Sequence, residues 1–388
     1  MNEYFGQDTP KLGFGLMRLP RKLTGIDIAQ VKRMVDEYLD AGFTYFDTAH
    51  VYPGSEAAVK KALVKCHPRE SFTLATKLYA PIAPTEKSAH QQLETSLQKT
   101  GAGYFDYYLL HSLNANNYQR YEKLHLWDFV QQKKREGVIR HVGFSFHAGP
   151  QLLDRILTDH PEVEFVQLQI NYADWENPKV ASRANYEVAR KHGVSIIVME
   201  PLKGGKIANP PAEVKRIFDA TGSAASYASW GIRFAASLDG VITVLSGMST
   251  LDQVRDNIGY MRAFQPLDTS ERAVIQQAQA AFNASPLIQC TSCGYCLEGC
   301  PKHIPIPRIF DAMNTRLGTG QIEEAQAAYE RATRGAGKAG DCIACGACER
   351  ACTQNLPIVQ LLKDCADAFD DAAADGNAAA ATQKGARR

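Results

Sequence analysis

Short apolar runs alternate with amphipathic stretches along the first 280 residues, in the rhythm of a strand followed by a helix. Lys11 to Arg18 reads as a strand, after which Ile28, Val31, Val35, Tyr38 and Leu39 share one helical face that Gly42 ends. Strand signals recur at Thr44 to Asp47, Phe72 to Lys77, Tyr107 to His111, Val138 to Ser145, Phe165 to Ile170, Val194 to Met199 and Val241 to Leu245. Helical patterns follow them at Ala57 to Lys65, Glu86 to Thr100, Tyr121 to Arg135, Gln151 to Leu157, Lys179 to His192, Ala224 to Leu238 and Leu251 to Met261. Eight βα units exceed the five or six of an open doubly wound sheet, so the pattern predicts an α/β fold, a closed (β/α)8 TIM barrel over residues 1–280. The early βα turns lack Gly-x-Gly-x-x-Gly, which counts against a Rossmann domain.

A barrel places its chemistry at the C-terminal ends of its strands. Those ends carry Asp47 with Tyr52 just beyond, then Lys77, His111, Ser145, Gln167 with Asn171, and Glu200. A Lys closing an apolar strand is costly to bury unless a carboxylate such as Asp47 accompanies it. A Tyr beside that pair has its phenolate stabilised by the ammonium and becomes a better proton donor. Taken one at a time these residues also suit a barrel-mouth ion pair and a satisfied core histidine; the four together point to a site.

Composition narrows the class. The chain has 388 residues, 43 basic and 42 acidic, intermixed without a long basic block, so neither nucleic acid nor a membrane surface is an expected partner. The N-terminus lacks the charged and apolar regions of a signal peptide, and the apolar runs stay well short of a span, which suggests a soluble cytoplasmic protein.

The stretch Gly42-Phe43-Thr44-Tyr45-Phe46-Asp47-Thr48-Ala49, with Tyr52 and Glu56, resembles the strand-two signature of the aldo-keto reductases. Ala75-Thr76-Lys77, Asp106 to His111, Gly143-Phe144-Ser145, Val166 to Asn171 and Gly247 to Asn257 extend the resemblance over roughly residues 10–262. It implies Tyr52 as general acid, Lys77 lowering its pKa, Asp47 holding Lys77, and His111 orienting a small-molecule carbonyl substrate. It further implies that Ser145 and Gln167 hold the nicotinamide carboxamide, while Gly247, Ser249, Gln253 and Asn257 wrap the adenosine end of NADPH or NADH. The chain departs from the family where Phe146 and His147 follow Ser145, where Met199 stands in place of the stacking aromatic, and where Gly247 and Gln253 replace the Lys and Arg of the 2′-phosphate site. Lys203, Lys206 and Arg255 are candidate substitutes, and the choice between the two coenzymes stays open.

Eight of the ten cysteines fall in two runs, Cys290-x2-Cys293-x2-Cys296-x3-Cys300-Pro301 and Cys342-x2-Cys345-x2-Cys348-x3-Cys352. This is ferredoxin spacing for two 4Fe–4S clusters, each taking the fourth cysteine of the other run: Cys290, Cys293, Cys296 and Cys352 for one, Cys342, Cys345, Cys348 and Cys300 for the other. Paired zinc sites are the alternative, but zinc usually takes two well-separated ligand pairs. Ile304-Pro305-Ile306 and Leu356-Pro357-Ile358 repeat at the same offset, as in an internal duplication. The long spacer, with a helical stretch from Ile322 to Ala332, suggests a small, mainly α-helical ferredoxin-like domain over 281–368, followed by a disordered tail over 369–388. Cys66 and Cys365 are taken as structural thiols.

A nicotinamide moves two electrons as a hydride whereas such a cluster moves one, so their direct exchange needs an intermediary such as a flavin. The expected function is NAD(P)H-dependent reduction of an aldehyde or ketone, with the clusters in a separate electron-transfer branch or bracing the C-terminal domain. The alternative is an iron–sulfur relay whose barrel docks an electron-transfer partner protein or holds a flavin.

Overall fold

A computed structural model describes residues 5–370. Two compact units make up the chain, one running to Lys203 and resuming over Ile207–Phe282, the other comprising Gly204–Lys206 and the residues from Asn283 on. The sequence suggests a single boundary near residue 280 and gives no sign of the three-residue excursion at Gly204.

In the first unit eight parallel strands close on themselves: β1 (Leu12–Gly15), β2 (Tyr45–Asp47), β3 (Thr73–Leu78), β4 (Phe105–Leu113), β5 (Ile139–Phe146), β6 (Phe165–Gln169), β7 (Ser195–Met199) and β8 (Val241–Ser246). Their order is β1-β8-β7-β6-β5-β4-β3-β2, with β1 pairing again to β2. Strands covered on both faces must be apolar throughout, and β4 is buried at all 9 of its positions. Tyr45, Tyr107, Leu109, Phe165, Ile197 and Ile242 fill the barrel interior, and a larger core lies between the strands and the surrounding helices.

Each strand is followed by a helix: α1 (Ile28–Asp40), α2 (Ser55–Val59), α3 (Glu86–Thr100), α4 (Leu126–Arg135), α5 (Pro150–Asp159), α6 (Ser182–Lys191), α7 (Tyr227–Ala236) and α8 (Leu251–Met261). Local chemistry sets the ends of α3: Thr85 and Ser88 form a reciprocal capping box, and Gly101 stops the helix at φ 67°. The single helix expected from Tyr121 to Arg135 is instead two, Tyr118–Lys123 and α4, broken where His125 takes φ 48°. A small hairpin, Arg21–Lys22 with Gly25–Ile26, and the helices Ala212–Asp219 and Thr269–Asn283 are further elements of this chain.

The second unit is helical, with short helices α9 (Tyr295–Glu298) and α12 (Ala347–Arg350) and long helices α10 (Ile306–Thr319) and α11 (Ile322–Thr333). The expected duplication is present in the backbone. Left-handed Ser292, Gly294 and His303 recur as Ala344, Gly346 and Asn355, α9 recurs as α12, and α10 as the helix over 358–370. Phe369 is fully buried in that helix, so residues 369–370 are helical where a tail was expected; the rest of the expected tail, 371–388, lies outside the described residues. Among the described residues no helix is long and apolar enough to cross a membrane.

Candidate active site and metal centres

Three neighbouring strands bring Asp47, Lys77 and His111 to one mouth of the barrel. Asp47 ends β2, Lys77 is the penultimate residue of β3, and His111 lies near the end of β4. Lys77 is wholly buried, its Nζ bonded to Asp47 Oδ1 and donating to the Thr48 carbonyl at 2.8 Å. The second Asp47 oxygen accepts from Gln167 Nε2 at 3.1 Å. Burial pushes the Lys77 ammonium down and the Asp47 carboxyl up, while the attraction between them opposes both shifts. Neither charge would therefore be tolerated here alone.

Tyr52 leans over this pair from the loop after β2. The Lys77 Nζ lies 5.0 Å from the centre of its ring, and the His111 ring meets it edge-on at 5.7 Å. Tyr79 approaches His111 from another side at 5.6 Å. The backbone of His111 is held by Tyr121, whose hydroxyl donates to its carbonyl. Burial, with Lys77 and His147 adding to it, holds the His111 imidazole well below its usual range, so the ring is neutral. Its Nδ1 is buried and has no hydrogen-bond partner among the described residues. A buried polar atom left unsatisfied beside a buried Lys and a Tyr is where an incoming carbonyl group would find a partner.

Ser145 and Gln167 are register partners on β5 and β6. Ser145 Oγ accepts from the Ser112 N–H at 2.6 Å and keeps its own proton to donate. Gln167 spends its amide nitrogen on Asp47, which leaves its oxygen to accept. His147 is half-buried, its Nδ1 paired with Gln169 Oε1 at 2.9 Å, and burial lowers it to about 4. Met199, half-buried, ends β7.

The residues expected at the adenosine end serve unequal purposes. Gly247 is exposed beside the Arg18 side chain, and Ser249 donates to the Arg18 carbonyl at 2.6 Å. Gln253, exposed, accepts from the Ser249 N–H at 2.7 Å. Asn257 is buried, with its amide donating to Ser246 Oγ at 2.8 Å and accepting from the Tyr260 hydroxyl. Of the candidate cations, Arg255 is bound at 2.7 and 2.8 Å by both oxygens of Glu37, and Lys203 is buried against Asp174.

In the second unit the cysteines line two small recesses. Cys290, Cys293, Cys296 and Cys352 line one; Cys300, Cys342, Cys345 and Cys348 line the other. Each recess thus joins three cysteines of one run with the last cysteine of the other. Among the described residues no three Cys, His, Asp or Glu side chains are grouped closely enough to hold a single ion. The Ser292 N–H donates to Cys290 Sγ at 3.4 Å. Burial raises the Cys290 thiol to about 11 and Cys296 to about 12, so their thiolates need the positive charge that iron would bring. Cys365 is buried in this unit's core, whereas Cys66 is exposed and so is not a core thiol.

Residues 11–280 match the family model of the aldo/keto reductase family, and residues 289–356 that of a 4Fe-4S dicluster domain. An aldo-keto reductase of Mycolicibacterium vanbaalenii is 30% identical over 232 residues, 59% of this chain and 77% of the relative. A methylglyoxal reductase of Yersinia pestis is 28% identical over 37% of this chain, and the chain spans only 48% of that relative's length. Among solved structures, an aldo-keto reductase from Bacillus halodurans superposes with a TM-score of 0.57 at 23% identity, covering 71% of this chain and 95% of that one. An aldo/keto reductase from Klebsiella pneumoniae, solved in complex with NADP and acetate, does so with a TM-score of 0.57 at 19% identity, covering 71% and 92%. At these identities the structures speak for the fold.

Proposed function

The chain belongs to the aldo/keto reductase family of oxidoreductases, and from that premise we propose that it reduces an aldehyde or ketone with a nicotinamide coenzyme, Tyr52 acting as general acid, and carries two 4Fe–4S clusters. The observation that carries this reading is the convergence of Tyr52, Lys77, Asp47 and His111 from the ends of three strands.

A bound reduced nicotinamide supplies the hydride that the carbonyl carbon accepts. The chain's own residues handle the oxygen. The neutral His111 orients the carbonyl, and the Tyr52 hydroxyl gives its proton to the oxygen as negative charge develops there. The tyrosinate left behind sits over the Lys77 ammonium, which stabilises it. Asp47 keeps that ammonium in place, and its bond from Gln167 ties the proton-donating group to the carboxamide-holding pair of Ser145 and Gln167. The Klebsiella relative, solved in complex with NADP, supports a nicotinamide coenzyme.

Cys290, Cys293, Cys296 and Cys352 would hold one cluster, and Cys300, Cys342, Cys345 and Cys348 the other. Loaded clusters transfer electrons singly, which a hydride donor does not exchange with directly. We therefore assign them to a branch separate from carbonyl reduction, served by an electron-transfer partner protein. Eight cluster thiols suit a reducing compartment such as the cytoplasm.

Substituting Tyr52→Phe tests the reading. With intact clusters, turnover of a panel of aldehydes should fall by about 100-fold or more, while coenzyme affinity is retained. Undiminished turnover in Tyr52→Phe, or a holoprotein that binds neither NADPH nor NADH, would sink it.

A further inference from the structure

Two successive residues that open α2, Ser55 and Glu56, reach back toward the strand that carries Lys77. Both are buried, Glu56 being only 2% exposed. A carboxylate withdrawn from water is costly unless its surroundings favour the charge. Asp47 already serves Lys77 as its counter-ion, so a second buried carboxylate on this side of the barrel has another task.

Ser55 fastens the loop of Tyr52. Its N–H donates to the Tyr52 carbonyl at 3.0 Å. Its hydroxyl donates to the Leu16 carbonyl at 3.0 Å and stands 2.7 Å from the Thr48 hydroxyl; with the Ser55 proton committed to Leu16, Thr48 is the donor of that pair. Thr48 is also the residue whose carbonyl takes the Lys77 ammonium. Glu56 fastens the neighbouring strand, its Oε1 accepting from Thr76 Oγ1 at 2.9 Å, and Thr76 directly precedes Lys77 on β3. The two contacts therefore bracket Lys77, one through the residue that accepts from it and one through the residue before it.

Side chains alternate across a strand, so Thr76 faces the surrounding helices while Lys77 faces the barrel interior with Ala75. Glu56 thus sits on the outer face of β3. Tyr108, the register partner of Thr76 on β4, is buried there too. Its hydroxyl and the second Glu56 oxygen are buried and have no hydrogen-bond partner among the described residues. The charged and titratable groups around this point are few. Burial pushes the Tyr108 phenol well up, with Glu56 and Glu94 adding to it; burial pushes the His50 imidazole down, with Glu56 opposing and Lys99 adding to it. On Lys77 itself burial disfavours the ammonium, while Asp47 and, after it, Glu56 favour it. Its other neighbours, the Tyr52 ring and the His111 imidazole, bring no compensating negative charge.

We propose that Glu56 is a positioning residue for proton donation: with Ser55 it clamps the Tyr52 loop to the strand of Lys77, and its carboxylate supports the Lys77 ammonium from the outer face of β3. This rests on the reading of Tyr52 as general acid. The clamp and the charge act separately. The clamp holds the Tyr52 ring at a fixed place over the ammonium, so that the proton leaves from the right position. The charge offsets part of the burial that opposes the ammonium. Without it Lys77 loses its proton at a lower pH, the tyrosinate loses its support there, and the alkaline limit of the reaction moves down.

Three variants of the full-length protein separate the two effects, with kcat and KM for an aldehyde measured across pH and the coenzyme dissociation constant measured alongside. In Glu56→Gln the amide oxygen still accepts from Thr76, so only the charge is lost. The alkaline limb of kcat/KM should move down by about one pH unit, with KM at neutral pH and coenzyme affinity unchanged. In Thr76→Val the charge stays and the tether is lost: kcat should fall about tenfold, again with KM and coenzyme affinity unchanged. Thr76→Ser, which keeps the hydroxyl, should restore the wild-type kcat. Far-UV melting shows that each variant remains folded. An alkaline limb that stays in place in Glu56→Gln overturns the proposal and leaves a merely structural carboxylate, whatever the melting temperature does. Wild-type kcat in Thr76→Val, or a Thr76→Ser protein as slow as Thr76→Val, overturns it as well. Each of these outcomes leaves the reductase reading standing, whereas wild-type turnover that Tyr52→Phe does not diminish refutes that reading and the clamp with it.

Discussion

Burial without charge is the shared condition of His111 and His147, and it makes a statement about stability. Burial holds His111 well below 6.5, Lys77 and His147 adding to it, and burial takes His147 down to about 4. In the unfolded chain both titrate near about 6.5, so between that value and about 4 the unfolded state binds more protons than the folded one. The resulting stabilisation is complete above pH ~6.5 and is lost progressively as the pH falls below it. The urea midpoint of the barrel, followed by tryptophan fluorescence because Trp127, Trp175 and Trp230 all belong to the first unit, should drop between pH 7.5 and 5. In His111→Gln/His147→Gln that drop should be shallower, and an unchanged slope would show that other groups carry it. At the same scale, the position of Asp47, Lys77 and His111 at strand ends was legible, because a polar residue ending an apolar strand is conspicuous. It said little of Asp174 and Lys203, since each looks like an ordinary loop charge until the fold buries them against one another.

The pairing of β5 with β6 is what sets Ser145 opposite Gln167. Gly143 permits it: a Cβ there would lie 2.3 Å from the Phe165 carbonyl and 2.7 Å from its ring. Gly143→Ala should therefore cost about 1–3 kcal/mol by overpacking and weaken coenzyme binding by displacing Ser145. Calorimetry and a binding titration check the two halves separately, and an unperturbed melting temperature would refute the crowding argument. Elements with a clear period were legible, among them all eight barrel strands. Those missed have physical reasons. Asn209-Pro210-Pro211 reads as a loop, yet Pro211 stands immediately before the helix Ala212–Asp219. The apolar face of 118–135 continues across His125, so periodicity alone does not reveal the break, which is a backbone event. The hairpin at Arg21–Ile26 has only two residues in each strand, too few for a pattern.

At the scale of the whole molecule each unit has a hydrophobic core of its own, and they differ in kind. Among the described residues the core of the first contains no cysteine. The second includes Cys296, Cys348 and Cys365, with Cys290, Cys300, Cys342 and Cys352 packed against it. A small core built around ligands gains much of its stability from the metal. Stripping iron with a chelator should thus abolish one calorimetric transition, that of the second unit, and leave the barrel melting as before by tryptophan fluorescence; loss of both transitions together would contradict independent cores. The two cysteine runs were conspicuous in the sequence, but nothing in it announced that Gly204–Lys206 would group with the second unit. The crossing itself has a consequence for biosynthesis. Since Cys352 belongs with Cys290, Cys293 and Cys296, and Cys300 with Cys342, Cys345 and Cys348, neither half of the repeat can complete a site by itself. A chain that has emerged only through the first run still lacks Cys352, so insertion of the clusters proposed above must wait until the second run has emerged.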